Sequence, residues 1–203
     1  MLTLGCKERE GEMDVIKRLP AILPVVCAAF GLYGSAQAEE TFYIGAQLPY
    51  SVIQGDFDNT HFLDFGPGFG LGVLVGYQPM PRVAIEVSWS VSKHKAQGVT
   101  ADLQERSLSG RYLFSDDKSI QPYVLLGYGR FSLGDSSLTL GGSGVRFGVG
   151  FDSFLDPKLS LGAALVRSVP SYNRIEKNDG SAILIGSLRG DTTSLILNMK
   201  YHF

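Results

Sequence analysis

Val83-Ala84-Ile85-Glu86-Val87-Ser88-Trp89-Ser90-Val91-Ser92 decides the fold of this chain. Val83, Ile85, Val87, Trp89 and Val91 share one face of an extended strand, and Arg82, Ala84, Glu86, Ser88, Ser90 and Ser92 share the other, because successive strand side chains point to opposite sides. The same alternation sets Val145, Phe147, Val149 and Phe151 against Gly144, Arg146, Gly148 and Gly150. It also sets Leu195, Leu197, Met199, Tyr201 and Phe203 against Ser194, Ile196, Asn198, Lys200 and His202. One face is continuously apolar. The other is mainly small Gly and Ser with isolated charges, which suits a crowded interior better than a Lys- and Glu-rich surface in water.

Outward from these strands the pattern recurs, giving stretches at about 41–51, 67–78, 82–93, 103–114, 120–132, 143–153, 158–169 and 191–203. Clusters of Gly, Pro, Asp, Asn and Ser separate them, and helix-period stretches of useful length are absent after residue 38. The connections alternate in length. Residues 78–81, 115–119 and 154–157 form tight turns rich in Pro and Asp, whereas 52–66, 94–102, 133–142 and 170–190 are longer. The expected fold is a single all-β unit.

Composition excludes several classes. Charged residues make up only 19% of the 203 and glycines number 25, unlike an ordinary soluble enzyme. A net charge of −2 offers no basic field for nucleic acid, and 44% hydrophobic residues exclude a disordered chain. The long apolar run 19–33 is too short for a spanning helix. Lys17 and Arg18 precede it and Ser35-Ala36-Gln37-Ala38 follows, so residues 1–38 are expected to be an export signal cut after Ala38. Lys7-Glu8-Arg9-Glu10-Gly11-Glu12 is acidic for the flank of such a signal, and Met13 offers an alternative start. Cys6 and Cys27 both leave with it, so the mature chain, 39–203, is expected to have no disulfide.

Alternation alone leaves a membrane barrel and a soluble lipocalin-like barrel open, each the other turned inside out. Face composition favours lipid against the apolar side. Aromatic placement agrees: Phe42, Tyr77, Phe114, Tyr123, Phe151, Tyr201 and Phe203 collect near the strand ends joined by short turns, as in an interfacial girdle. Short turns at one end and long loops at the other are the arrangement of an eight-stranded antiparallel up-and-down transmembrane β-barrel.

With Thr41-Phe42-Tyr43-Ile44-Gly45-Ala46, Gln121-Pro122-Tyr123-Val124-Leu125-Leu126-Gly127-Tyr128-Gly129 and the ending Tyr201-His202-Phe203, residues 39–203 resemble the eight-stranded outer-membrane barrel family. That family includes the membrane domain of outer-membrane protein A and the opacity-type surface antigens. The resemblance implies the outer membrane of a Gram-negative cell, with outer-membrane lipid, lipopolysaccharide and the insertion machinery as partners. Met199, Tyr201 and Phe203 are similar to the family's insertion signal. It further implies extracellular loops for adhesion, contact with host or surface ligands, or envelope integrity. A lipid A-modifying enzyme and a narrow pore are the alternatives.

Candidate chemistry is sparse. His61 and His94 are expected in extracellular loops, with Asp64 and serines near enough to permit a Ser-His-Asp grouping without showing one. His202 is expected to be packed in the lumen. Asp56-Phe57-Asp58-Asn59 lacks the Gly and distal Glu of a calcium loop. Gly66-Pro67-Gly68-Phe69-Gly70-Leu71-Gly72 opens a strand with no helix after it, unlike a nucleotide fingerprint. Arg189-Gly190-Asp191, a tripeptide recognised by some integrins, reads as a glycine bend. No catalytic, metal or cofactor residue is therefore expected. The charges Glu86, Arg111, Arg146 and Lys200 are inward by parity, and such groups are costly unless paired. They are expected to form a Glu86-centred ion-pair network that plugs the lumen.

Overall fold

The computed structural model describes residues 41–57, 60–61, 65–96, 99–115, 119–134, 138–177 and 182–203. The export-signal reading, Asp58, Asn59, Asp64 and residues 178–181 lie outside them. The strands are β1 (Thr41–Phe57), β2 (Thr60–His61), β3 (Phe65–Met80), β4 (Val83–Ala96), β5 (Val99–Leu113), β6 (Gln121–Gly134), β7 (Leu138–Asp156), β8 (Leu159–Lys177) and β9 (Ala182–His202). Among the described residues β2 pairs only with β1. The eight long strands follow one another antiparallel, and β9 returns to pair with β1 from Tyr43↔His202 to Asp56↔Arg189. The sheet closes on itself and leaves no free edge in the wall.

Local chemistry sets the short turns. Asp156 Oδ1 accepts hydrogen bonds from the Lys158 and Leu159 amides at 2.7 and 2.9 Å, tightening the turn through Pro157. Gln78 Nε2 donates to Pro81 O at 2.8 Å across the β3–β4 turn. At the opposite end the long-loop expectation is corrected. Residues 52–57, 99–102 and 170–177 continue as strand, so that β4 reaches Ala96, β5 starts at Val99, β6 reaches Gly134 and β7 starts at Leu138. The β7–β8–β9 sheet runs furthest, with Leu138↔Lys177 and Glu176↔Ala182 still in register. β8 and β9 therefore stay paired to Glu176 and Ala182, and β7 joins them as a third strand.

Side chains obey the expected parity. Val87 (57% exposed), Leu71 (71%) and Leu126 (66%) lie on the outer wall, while Arg111 (4%), Arg146 (5%) and Lys200 (1%) lie inside. Charges inside and aliphatic groups outside is the reverse of a soluble barrel. In β3 the inward positions include Gly66, Gly68, Gly70, Gly72 and Gly76. A Cβ on Gly72 would sit 2.6 Å from Ser90 Cβ and 2.7 Å from Gln47 Nε2, and one on Gly76 would enter the Tyr43 ring. The glycine run that opens β3 is a bare strip of wall on which neighbouring side chains lie.

Candidate functional site

The lumen holds a cluster of two acids and two bases near the short-turn ends of β4, β5, β7 and β9. Lys200 Nζ donates to both Asp152 carboxylate oxygens, at 3.0 and 2.9 Å, and lies 3.8 Å from Glu86 Oε2. Arg111 Nη2 binds Asp152 Oδ2, and its Nη1 binds Glu86 Oε2 at 3.2 Å. The Arg111 guanidinium also lies 3.6 Å from the centre of the Tyr123 ring, a cation–π contact. Tyr43 OH donates to Glu86 Oε2 at 3.2 Å. Formal charges cancel within the group, the condition on which buried ions are tolerated.

Two features differ from the sequence reading. Asp152 joins Glu86 at the centre: it is hydrogen-bonded to both cations, whereas Glu86 bonds Arg111 and lies 3.8 Å from Lys200. Arg146 belongs to a separate group at mid-barrel: its Nη1 is 2.8 Å from Glu105 Oε1, an ion contact outside hydrogen-bond alignment, and it donates to Ser107 Oγ and to Ser88 Oγ at 3.4 Å. Ser88 and Ser107 hydroxyls are themselves bonded at 2.8 Å. Asp152 and Glu105 were both recoverable from parity. Asp152 follows Gly148 and Gly150 on the inward face of β7, and Glu105 shares the inward face of β5 with Arg111. Beyond this layer Ile53, Ala101, Leu103, Phe131, Leu133 and Tyr172 form an apolar cluster toward the extended end. Between the layers a cavity of about 10 Å³ touches Arg146, Glu105 and Leu103, room for about one water.

The histidines are placed as follows. His61 lies in β2. His94 is not a solvated loop residue: it is on the inward face of β4, fully buried, because Gly68 leaves its ring room. Its Nε2 is 2.9 Å from Ser92 Oγ and its Nδ1 3.2 Å from Gly66 O. Outward Lys93 and Lys95 place it above the apolar band, and burial pushes its pKa below the ordinary histidine range. His202 is packed in the lumen as expected, 2.9 Å from Ser160 Oγ and against the Tyr43 and Phe154 rings. Among the described residues no His, Cys, Asp and Glu group could hold a metal ion. The Arg-Gly-Asp tripeptide is extended strand: Gly190 abuts the Tyr172 ring, and Asp191 is held by Arg167.

Outside, Phe42 stacks on Tyr77 at 4.5 Å and Tyr201 meets Phe203 edge-on at 5.3 Å. Tyr123 is removed from the expected girdle, because its ring points inward onto Arg111 and is 3% exposed. A second set, Tyr50, Phe69, Trp89 and Tyr128, lies outward at the other edge of the apolar band, with Tyr50 and Phe69 4.7 Å apart. Met199 and Tyr201 are exposed on the outer face of β9, and Phe203, one residue past its end, is exposed as well.

A family model described as the outer membrane protein beta-barrel domain matches residues 25–203. The chain belongs to that family. This outer-membrane barrel therefore has lipid against its apolar wall and water beyond the aromatic edges. It is similar in fold to Neisserial surface protein A, at 19% identity and TM-score 0.51, over 77% of this chain and 95% of that one. It is also similar to the outer membrane protein OprG from Pseudomonas aeruginosa, at 13% identity and TM-score 0.52, over 83% and 98%. A third is Ail, the attachment invasion locus protein of Yersinia pestis, solved with the heparin analogue sucrose octasulfate, at 15% identity and TM-score 0.51, over 81% and 99%. No curated protein matches it in sequence.

Proposed function

We propose that this outer-membrane barrel is a closed anchor whose work is done by the strand extensions and connections on its extracellular side, through adhesion, contact with surface ligands or support of the envelope. The observation that carries this reading is the filling of the lumen. Two layers of paired charge and an apolar cluster occupy the space that transport would need, while β7, β8 and β9 carry polar and apolar side chains beyond the membrane. Outer-membrane lipopolysaccharide is a natural neighbour for such a wall. The outward Met199, Tyr201 and Phe203 stripe serves in recognition by the insertion machinery, and residues 1–38 are removed, so that the mature chain begins at Glu39. Binding of cells with and without the gene to sulfated polysaccharide and to host-cell surfaces tests the adhesive role; equal binding by both strains rejects it. Planar-bilayer recordings test closure, with discrete conductance steps as the contrary result.

A second reading, a lipid-modifying enzyme, draws support from Ser92 and His94, whose 2.9 Å separation is within nucleophile–base reach. Both are buried and, among the described residues, the ring is bonded to Ser92 and the Gly66 carbonyl rather than to a carboxylate, so the anchor reading is preferred. Mass spectrometry of lipid A from the two strains separates the readings.

A further inference from the structure

Arg106 of β5 and Arg130 of β6 are direct cross-strand partners, and both side chains point outward. Like charges in that relation repel. Neither joins any ion pair or hydrogen bond of the described residues, whereas outward Arg167 on β8 is neutralised by Asp191. Two unneutralised guanidinium groups held side by side call for an external anion.

The surroundings say which anion. Trp89 lies opposite Arg106, and Leu108 lies opposite Tyr128 one outward step nearer the centre of the apolar band. Trp89, Leu108, Tyr128 and the two arginines line an open groove of about 380 Å³ on the outer wall. A second groove of about 510 Å³ continues past the same arginines toward polar Gln104, Ser132 and Arg174. The order from bilayer to water is apolar floor, cationic edge, polar upper wall. A free inorganic anion has no use for the floor, and a neutral lipid none for the arginines. We propose that Arg106 and Arg130 together bind the phosphate of a phosphorylated outer-leaflet lipid, whose acyl chain lies along Trp89, Leu108 and Tyr128. Guanidinium forks match phosphate oxygens in paired hydrogen bonds, and the bound anion removes the repulsion between the two side chains.

Trp89 is the chain's single tryptophan, so its emission reports on the groove without a label. The folded protein in zwitterionic micelles is titrated with bis-phosphorylated lipid A, with the same lipid after phosphate removal, and with inorganic phosphate. Heat-modifiable gel mobility confirms that each variant is folded. The phosphorylated lipid is expected to give a saturable shift in Trp89 emission. Removing its phosphates, or introducing Arg106→Gln with Arg130→Gln, raises the apparent Kd by about tenfold or more. Lys93→Gln with Lys95→Gln removes the same charge from β4 and leaves the Kd within about twofold. Equal weakening by the lysine pair would reduce the effect to general attraction and overturn the site. Equal binding of the dephosphorylated lipid would overturn phosphate recognition, and full displacement of lipid by inorganic phosphate would overturn the lipid assignment.

Discussion

Asp152→Asn removes the carboxylate that is hydrogen-bonded to both Arg111 and Lys200. Lys200 is 1% exposed and would retain only Glu86, 3.8 Å away, while Arg111 would keep Glu86 at 3.2 Å and the Tyr123 face. Two cations then face one anion in a closed interior. Breaking a buried pair by removing one partner costs ~3–5 kcal/mol, and the surviving Glu86 contacts place this loss near the lower end, about 3 kcal/mol. Adding Lys200→Met restores charge balance and is expected to return roughly half of that loss, a coupling typical of groups in direct contact. Arg167→Gln, which breaks an exposed pair, is expected to leave the unfolding midpoint unchanged. Urea unfolding of the protein refolded in lipid vesicles, followed by Trp89 emission and heat-modifiable mobility, measures all three. A single-variant loss under about 1 kcal/mol, or a double variant no more stable than the single, would refute a lumen organised around Asp152.

Three further outcomes follow from the same geometry. Val87→Arg, on the lipid face between Val75 and Leu108, should cost ~2–4 kcal/mol in vesicle folding titrations, whereas Ser88→Arg should act through crowding and repulsion at Arg146. Gly76→Ala drives a methyl group into the Tyr43 ring and should cost ~1–3 kcal/mol, partly recovered by Tyr43→Leu in the same chain. His94 is held neutral by burial, opposed by the Gly66 hydrogen bond and by Asp102. Its folded-state pKa lies below its unfolded value, so its contribution is complete above the unfolded pKa of about 6.5 and is lost as pH falls toward the folded one. Unfolding midpoints should decrease over that acid interval in the native chain and lose this slope in His94→Gln.

Face assignment was legible because a strand's period is two, so Val87 and Ser88 could be separated without any partner strand. Strand ends were not. The apolar parity of Leu195 and Leu197 stops at Thr193, where the outer wall leaves lipid, but backbone groups still gain partners by pairing, and β9 continues to Ala182. His94 was misread for the same reason: outward Lys93 and Lys95 look like loop chemistry although the inward face still packs. Tyr123 fell into the girdle because its height in the barrel was right while its parity, shared with Gln121 and Leu125, pointed inward. The ion cluster was half visible. Inward charge can be read strand by strand, but which charges meet depends on register around the closed wall, and that brought Asp152 to Lys200 and sent Arg146 to Glu105.

Refolding the protein into vesicles whose acyl chains carry bromine tests most directly whether this wall faces lipid. Bromine quenches tryptophan on near contact, and Trp89 is 47% exposed on the outer face of β4. Strong quenching of Trp89 by bromolipid, with little added effect from aqueous iodide, is the expected result. A folded chain whose Trp89 is quenched by iodide and untouched by bromolipid would contradict the inside-out barrel.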